Sequence, residues 1–322
     1  MTSSIASRYR CFAEVEARGI STTYYEWAMG VSGDDAVQSL IAALPAQKRQ
    51  PNLVFAAARL LGAPVGTYNE FRTWLLDHWD RVLPVILSRS TQTNEAARTA
   101  VLLPLLEKID GTIALIEAGT AAGLVLYPDR YSYRYSSADG SVTPVDPASG
   151  PSSVVIPCEL LSGEPPTTLP DVIWRAGVDL NPLDVTNKDE LEWLEALVWP
   201  EHNARRARLR AAARIVAEDP PLILAGDILE RIPELIAQAP TGAHIVVFHS
   251  AVLVYLNEAD REAFVTMMEE HRNVTWISNE GADVLPAITR QVDQEIAGRT
   301  IVARDGRHVA LVGPHGQSFQ QL

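Results

Sequence analysis

From Gly111 onward, short and nearly continuous apolar runs alternate with amphipathic segments. The runs are "TIALIEAG", "VIWRAGVDL", "PLILAGD", "AHIVVFHS", "NVTWISNE", "TIVARDG" and "HVALVGPHG". A strand that is apolar on both faces has to be covered on both faces, which is the situation of a parallel sheet flanked by helices. The segments between them, such as "ILERIPELIAQA" and "EADREAFVTMMEEH", have helical periodicity. The last two runs are separated by Asp305-Gly306, a tight hairpin signal. The expected order is a series of β-α units closed by an antiparallel hairpin.

The residues before this region read differently. "SGDDAVQSLIAAL" opens on Ser32 and two acids and stops before Pro45, and "PNLVFAAARLLG" starts on proline and ends on glycine. "TYNEFRTWLLDHWDRVLPVIL" carries Thr67 with Glu70 three residues on, a capping box. "TNEAARTAVLLPLLEKIDG" holds Pro104, where a helix is expected to kink or break. The pattern predicts an all-helical domain over 1–110 and an α/β domain over 111–322. Residues 134–170 are rich in Ser, Pro and Gly and read as an irregular insertion with at most one hairpin.

Charge narrows the partners. The 322 residues hold 27 basic and 40 acidic side chains, a net charge of −13, so a phosphate backbone is a poor partner. No apolar run approaches the ~18 residues of a membrane span, so no membrane is expected. The N-terminal "MTSSIASRYRCF" lacks the apolar core of a secretion signal. Cys11 and Cys158 have no metal-type spacing, and no metal is expected; two lone thiols fit a reducing cytoplasm.

The stretch "IALIEAGTAAGLVLYPDRYSY" ends an apolar run on Glu117 and follows it with Gly119, Ala121 and Gly123. Open α/β sheets bind ligands beyond the carboxyl ends of their strands. Small residues there let a ligand approach the backbone, and a helix read after Gly123 would add free N–H groups. The dinucleotide pattern G-x-G-x-x-G fails at Ala121 and Leu124. The pattern acid-x-G-x-G-x-G fails only at Ala121, by one methyl group, and it resembles the S-adenosylmethionine turn of class I methyltransferases. That resemblance implies Glu117, Gly119, Ala121 and Gly123 around the cofactor, Asp179 of "AGVDLNPLD" on the ribose and Asp227 of "LILAGDI" near adenine. It implies a strand order 3-2-1-4-5-7-6 with the last strand antiparallel. The interval from Gly123 to Asp179 is longer than a plain β-α-β unit needs.

A closer resemblance spans nearly the whole chain. "TQTNEAARTAVLLP", "LIEAGTAAGLVLYPDRYSYRY", "LVWPEHNARRARLRAA", "FHSAVLVYL" and the terminal "HGQSF" look like the bacterial domain-of-unknown-function family 2332. It implies a methyltransferase-like fold and no particular reaction.

Other clusters have two readings each. Gln92, Asn94, Glu95 and Arg98 stand before the first strand, either over the cofactor or as the capped start of a helix at Thr93. Arg205 and Arg208 lie on one side of an arginine-rich helix, as an anion site or as solvated surface charge. Tyr131, Tyr133 and Tyr135 alternate onto one strand face, as core or as a stacking wall, with Asp129 and Arg130 as an ion pair. His249 and Ser250 end the fourth strand, where catalytic side chains sit in such folds, and histidine is the natural base near neutral pH. The sequence therefore points to a protein that binds S-adenosylmethionine and methylates a small, anionic acceptor. The alternative is a non-catalytic ligand-binding or interaction protein.

Overall fold

The computed structural model describes residues 4–92 and 94–322, and the reading of Thr93 as a cap falls outside them. Five helices come first: α1 (Ile5–Cys11), α2 (Thr22–Ser32), α3 (Asp35–Ala42), α4 (Pro51–Leu60) and α5 (Tyr68–Ser88). The capping box of α5 forms as read, with Thr67 Oγ1 accepting from Glu70 N and the Glu70 carboxylate accepting from Thr67 N at 2.8 Å. Next come α6 (Thr99–Leu106), which continues through Pro104, then β1 (Thr112–Ala118), β2 (Ser132–Ser137), β3 (Val142–Val145), β4 (Val155–Ser162) and β5 (Asp171–Asp179). The chain continues with α7 (Lys188–Leu197), α8 (Asn203–Glu218), β6 (Leu222–Ala225), α9 (Ile228–Gln238), β7 (His244–Ser250), α10 (Glu258–Glu270) and β8 (Val274–Glu280). It closes with α11 (Pro286–Thr289), β9 (Thr300–Arg304), β10 (Arg307–Val312) and β11 (Ser318–Gln321).

Two compact units result. One joins the residues before Asn94 to Asn187–Ala207; the other holds Asn94–Thr186 and Arg208–Leu322. The first unit is helical and has an aromatic core in which Trp27 stacks on Phe71 at 4.0 Å and Phe12 meets Trp199 at 5.7 Å. Residues 187–207 belong there for identifiable reasons. Arg59 donates to the carbonyls of Ala196 and Val198 at 2.9 and 2.7 Å, and Glu201 accepts from Ser21 Oγ at 2.7 Å and Thr23 N at 2.9 Å.

The second unit is built on one mixed sheet of eleven strands in the order β3-β2-β4-β11-β10-β9-β8-β7-β1-β5-β6. Five of them, β6-β5-β1-β7-β8, are parallel and follow the expected 3-2-1-4-5. Beyond β8 the expectation is corrected. The two closing strands run in chain order, giving 5-6-7 instead of 5-7-6, because β9 pairs directly and antiparallel with β8. The connection between them holds only the four-residue α11, too little for the crossover helix that a parallel sixth strand needs. The Asp305-Gly306 hairpin forms, with φ of +51° and +76°.

The hairpin expected in the insertion forms as β2–β3, but the rest of it is not irregular. Residues 134–170 supply most of β2 and all of β3 and β4, which extend the sheet past β11. Ile156, Cys158 and Leu160 point inward on β4 in strict alternation. Tyr131, Tyr133 and Tyr135 are fully buried, and their hydroxyls donate to the carbonyls of Leu124, Pro128 and Ala100 at 2.7–2.8 Å. They are core residues. Asp129 pairs with Arg175, not with Arg130, which lies 3.8 Å from Asp219.

Candidate functional site at the carboxyl end of β1

β1 lies between β5 and β7, with β5-β6 on one side and β7-β8 on the other, so the order of the parallel strands reverses there. This is the switch point of the parallel strands, where a crevice is expected. Side chains alternate along each strand, so two faces must be distinguished. Ile116 and Ala118 share a core with Ile232 of α9 and Phe264 of α10. Glu117 points to the opposite face.

The turn after β1 is folded tightly on itself. Gly119 and Thr120 donate to Val178 O at 2.7 and 3.1 Å, and Gly123 N donates to Thr120 O at 2.8 Å. Ala121 N donates to Asp179 Oδ2 at 2.9 Å, and Ala122 N to Asn94 Oδ1 at 3.2 Å. Gly119, Ala121 and Gly123 all have positive φ, of 74°, 49° and 76°. The helix expected after Gly123 is absent among the described residues; 120–130 is a run of turns leading into β2. A Cβ on Gly119 would lie 2.4 Å from Val252 Cγ2, so the space above this glycine is filled by a side chain from the segment after β7.

Around the turn, polar side chains are buried at high density. Glu117 is 5% exposed and accepts from Thr120 Oγ1 through Oε2 at 2.7 Å. Its Oε1 has no hydrogen-bond partner among the described residues. Burial pushes its carboxyl up to about 8; the Thr120 bond and the Arg98 charge pull it down, and Asp179 pushes it further up. Arg98, itself buried, donates to Ser250 O at 2.9 Å and Pro314 O at 3.1 Å. Glu95 accepts from Ala97 N at 3.1 Å and from Arg208 Nε at 3.0 Å. Asp179 is half-buried, and its Oδ1 accepts from Asn181 N at 2.8 Å. Asp227 is exposed and caps α9 through Leu229 N at 2.8 Å.

The structure thus brings Asn94, Arg98, Glu117, Asp179 and Ser250 together around the turn, and pairs Glu95 with Arg208 in the same unit. Gln92 and Arg205 belong to the first unit. His249 lies apart from the cluster. It is in register with Ala118 and shares the α9–α10 face, fully buried beside Phe264. Trp276 Nε1 donates to its Nε2 at 3.0 Å, and an indole can only donate, so Nδ1 carries the proton and donates to Glu280 Oε1 at 2.7 Å. Glu280 Oε1 also accepts from Val252 N and Leu253 N at 3.0 and 3.1 Å, which anchors the segment that fills the space over Gly119. Thr120, Asn279 and Glu280 were missed in the sequence. For Asn279 and Glu280 the signal is the polar "SNE" ending an apolar run, the same strand-end pattern that marked Glu117.

A family model described as an uncharacterized protein conserved in bacteria (DUF2332) matches residues 6–321. The chain belongs to that family. No curated protein and no solved structure matches it. Membership in DUF2332 covers both units, and no helix among the described residues is long and apolar enough to cross a membrane.

Proposed function

We propose that this member of the family binds a small nucleoside ligand of the S-adenosylmethionine type at the carboxyl ends of β1, β5 and β7. The observation that carries this reading is Glu117, a buried carboxyl at the switch point with one oxygen left without a partner among the described residues. The N–H groups of the turn are already used internally, so the turn offers no cradle for a phosphate. What the site offers is carboxyl oxygen, from Glu117 and Asp179. Such a site selects hydroxyl groups and cations, and a sulfonium nucleoside with an amino group has both. Asp179 accepts from Ala121 N and Asn181 N and, in this reading, also meets the ribose hydroxyls.

Methyl transfer from a sulfonium asks mainly for alignment. His249 has no part in this reading, since both ring nitrogens are engaged on the opposite face. Arg208 is engaged by Glu95, so an anionic acceptor is not favoured either. These two placements favour binding without catalysis as the second reading. Isothermal titration with S-adenosylmethionine and S-adenosylhomocysteine tests the first. Binding of both supports it, and no heat from either up to about 1 mM, a binding energy of only ~4 kcal/mol, refutes it.

A further inference from the structure

On the Glu117 face, β7, β8 and β9 are joined by a one-way chain of side-chain hydrogen bonds. Thr300 Oγ1 donates to Asn279 Oδ1 at 2.6 Å, and Asn279 Nδ2 donates to Ser250 Oγ at 3.0 Å. An amide oxygen only accepts and an amide nitrogen only donates, so the polarity is fixed along the chain. Thr300 spends its proton on Asn279, and Ser250 spends a lone pair on it. The hydroxyl proton of Ser250 has no acceptor among the described residues, although the residue is only 7% exposed. Leaving a buried donor unused is costly, and Asn279, 1% exposed, holds this one in a set orientation.

A second unused donor stands at the same turn. Asn94 is 7% exposed, its Oδ1 is taken by Ala122 N, and its buried Nδ2 has no partner among the described residues. The Arg98 guanidinium, bonded to Ser250 O, adds a positive charge that also acts on Glu117. Two buried donors near a fixed cation suit a carboxylate, and Glu117 suits an ammonium once the incoming cation has displaced its proton.

We propose that Ser250, oriented by Asn279 and Thr300, is a ligand-binding donor that recognises the carboxylate of an amino-acid group on the ligand. This rests on the reading of the Glu117 site given above. It sets the direction of the ligand: the amino-acid end lies toward β7 and β8, and the ribose toward Asp179 on β5.

The test is titration of the full chain and of Ser250→Ala with two probes, S-adenosylmethionine and 5′-methylthioadenosine, which lacks the amino-acid group. Ser250→Ala should weaken S-adenosylmethionine binding by about tenfold or more, as for a lost bond to a charged group. Binding of 5′-methylthioadenosine should stay within about twofold, well under the 1.4 kcal/mol that a decade represents. Asn279→Ala should give the same selective loss, because the donor loses its orientation. Ser250→Cys, which keeps the volume with a weaker donor, should fall between the wild type and Ser250→Ala and covers the case in which the Asn279 variant does not fold. Equal weakening of both probes, or no weakening of either, overturns the role of Ser250 and leaves the site standing. A wild-type chain that binds neither probe overturns the site and this inference together.

Discussion

Glu117→Gln tests the buried carboxyl directly. The side chain has an ordinary value of 4.5 and is pushed up to about 8 by burial, against the opposing pull of Thr120 and Arg98. The folded chain therefore holds this proton more tightly than the unfolded chain. Stability from this group is fully present below 4.5 and is lost as pH rises toward 8. Each pH unit inside that window removes about 1.4 kcal/mol, or roughly 3–5 kcal/mol across it. Glutamine has nearly the same shape and does not titrate. At pH 5 the variant should be about as stable as the wild type; by pH 9 it should be more stable by roughly 3–5 kcal/mol. Urea unfolding followed by tryptophan fluorescence at each pH measures the difference. A difference that stays flat from pH 5 to 9 would show that Glu117 is ionised throughout, stabilised by Arg98, and would refute the reasoning.

Other substitutions probe the surroundings. Gly119→Ala should lower Tm whether or not ligand is present, because its Cβ meets Val252, and the added Val252→Ala should recover part of the loss in thermal melts. Asp179→Ala should weaken S-adenosylmethionine binding at least about tenfold in calorimetry, since hydrogen bonds to a charged group contribute roughly 1.5–3 kcal/mol each. Arg208→Ala should cost about 1.5–3 kcal/mol in urea unfolding, because the buried Glu95 carboxylate loses a charge-assisted hydrogen bond; a cost below about 1 kcal/mol would mean the pair behaves as a surface contact. Tyr135→Phe should cost about 1 kcal/mol in the same assay, from the lost bond to Ala100 O.

Much of this architecture was legible because burial leaves a period in the sequence. The five parallel strands show as apolar runs, and the Thr67–Glu70 cap and the Asp305-Gly306 hairpin are local signals that act locally. The helix expected after Gly123 was misread for a physical reason. Leu124, Val125, Leu126 and Tyr127 are all buried, so the stretch has no polar face, and Pro128 follows at once. A buried apolar run of that length has no period that separates helix from turn. In β4, the alternation of Ile156, Cys158 and Leu160 was present but lay among prolines and serines. At the candidate site, Glu117 and Asp179 were readable from their strand ends. The assignment of His249 turned on which face of β7 it occupies, and a one-residue step decides that. The Thr300–Asn279–Ser250 chain depends on β9 pairing directly with β8, the feature that departs from the expected strand order.

The pairing of β4 with β11 has a consequence for how the chain is made. Ser318 sits opposite Glu159, so one edge of β4 stays open until the chain has been synthesised past β11, about 150 residues later. β2 and β3 can zip onto the other edge early, but the nascent protein carries an unpaired strand with Val155 and Leu161 outward until β11 has emerged. An open, apolar edge is a template for pairing with other chains. Such a protein depends on late, long-range closure and on low concentrations of unfinished chains, and its folding yield should fall with expression rate before its finished stability becomes limiting.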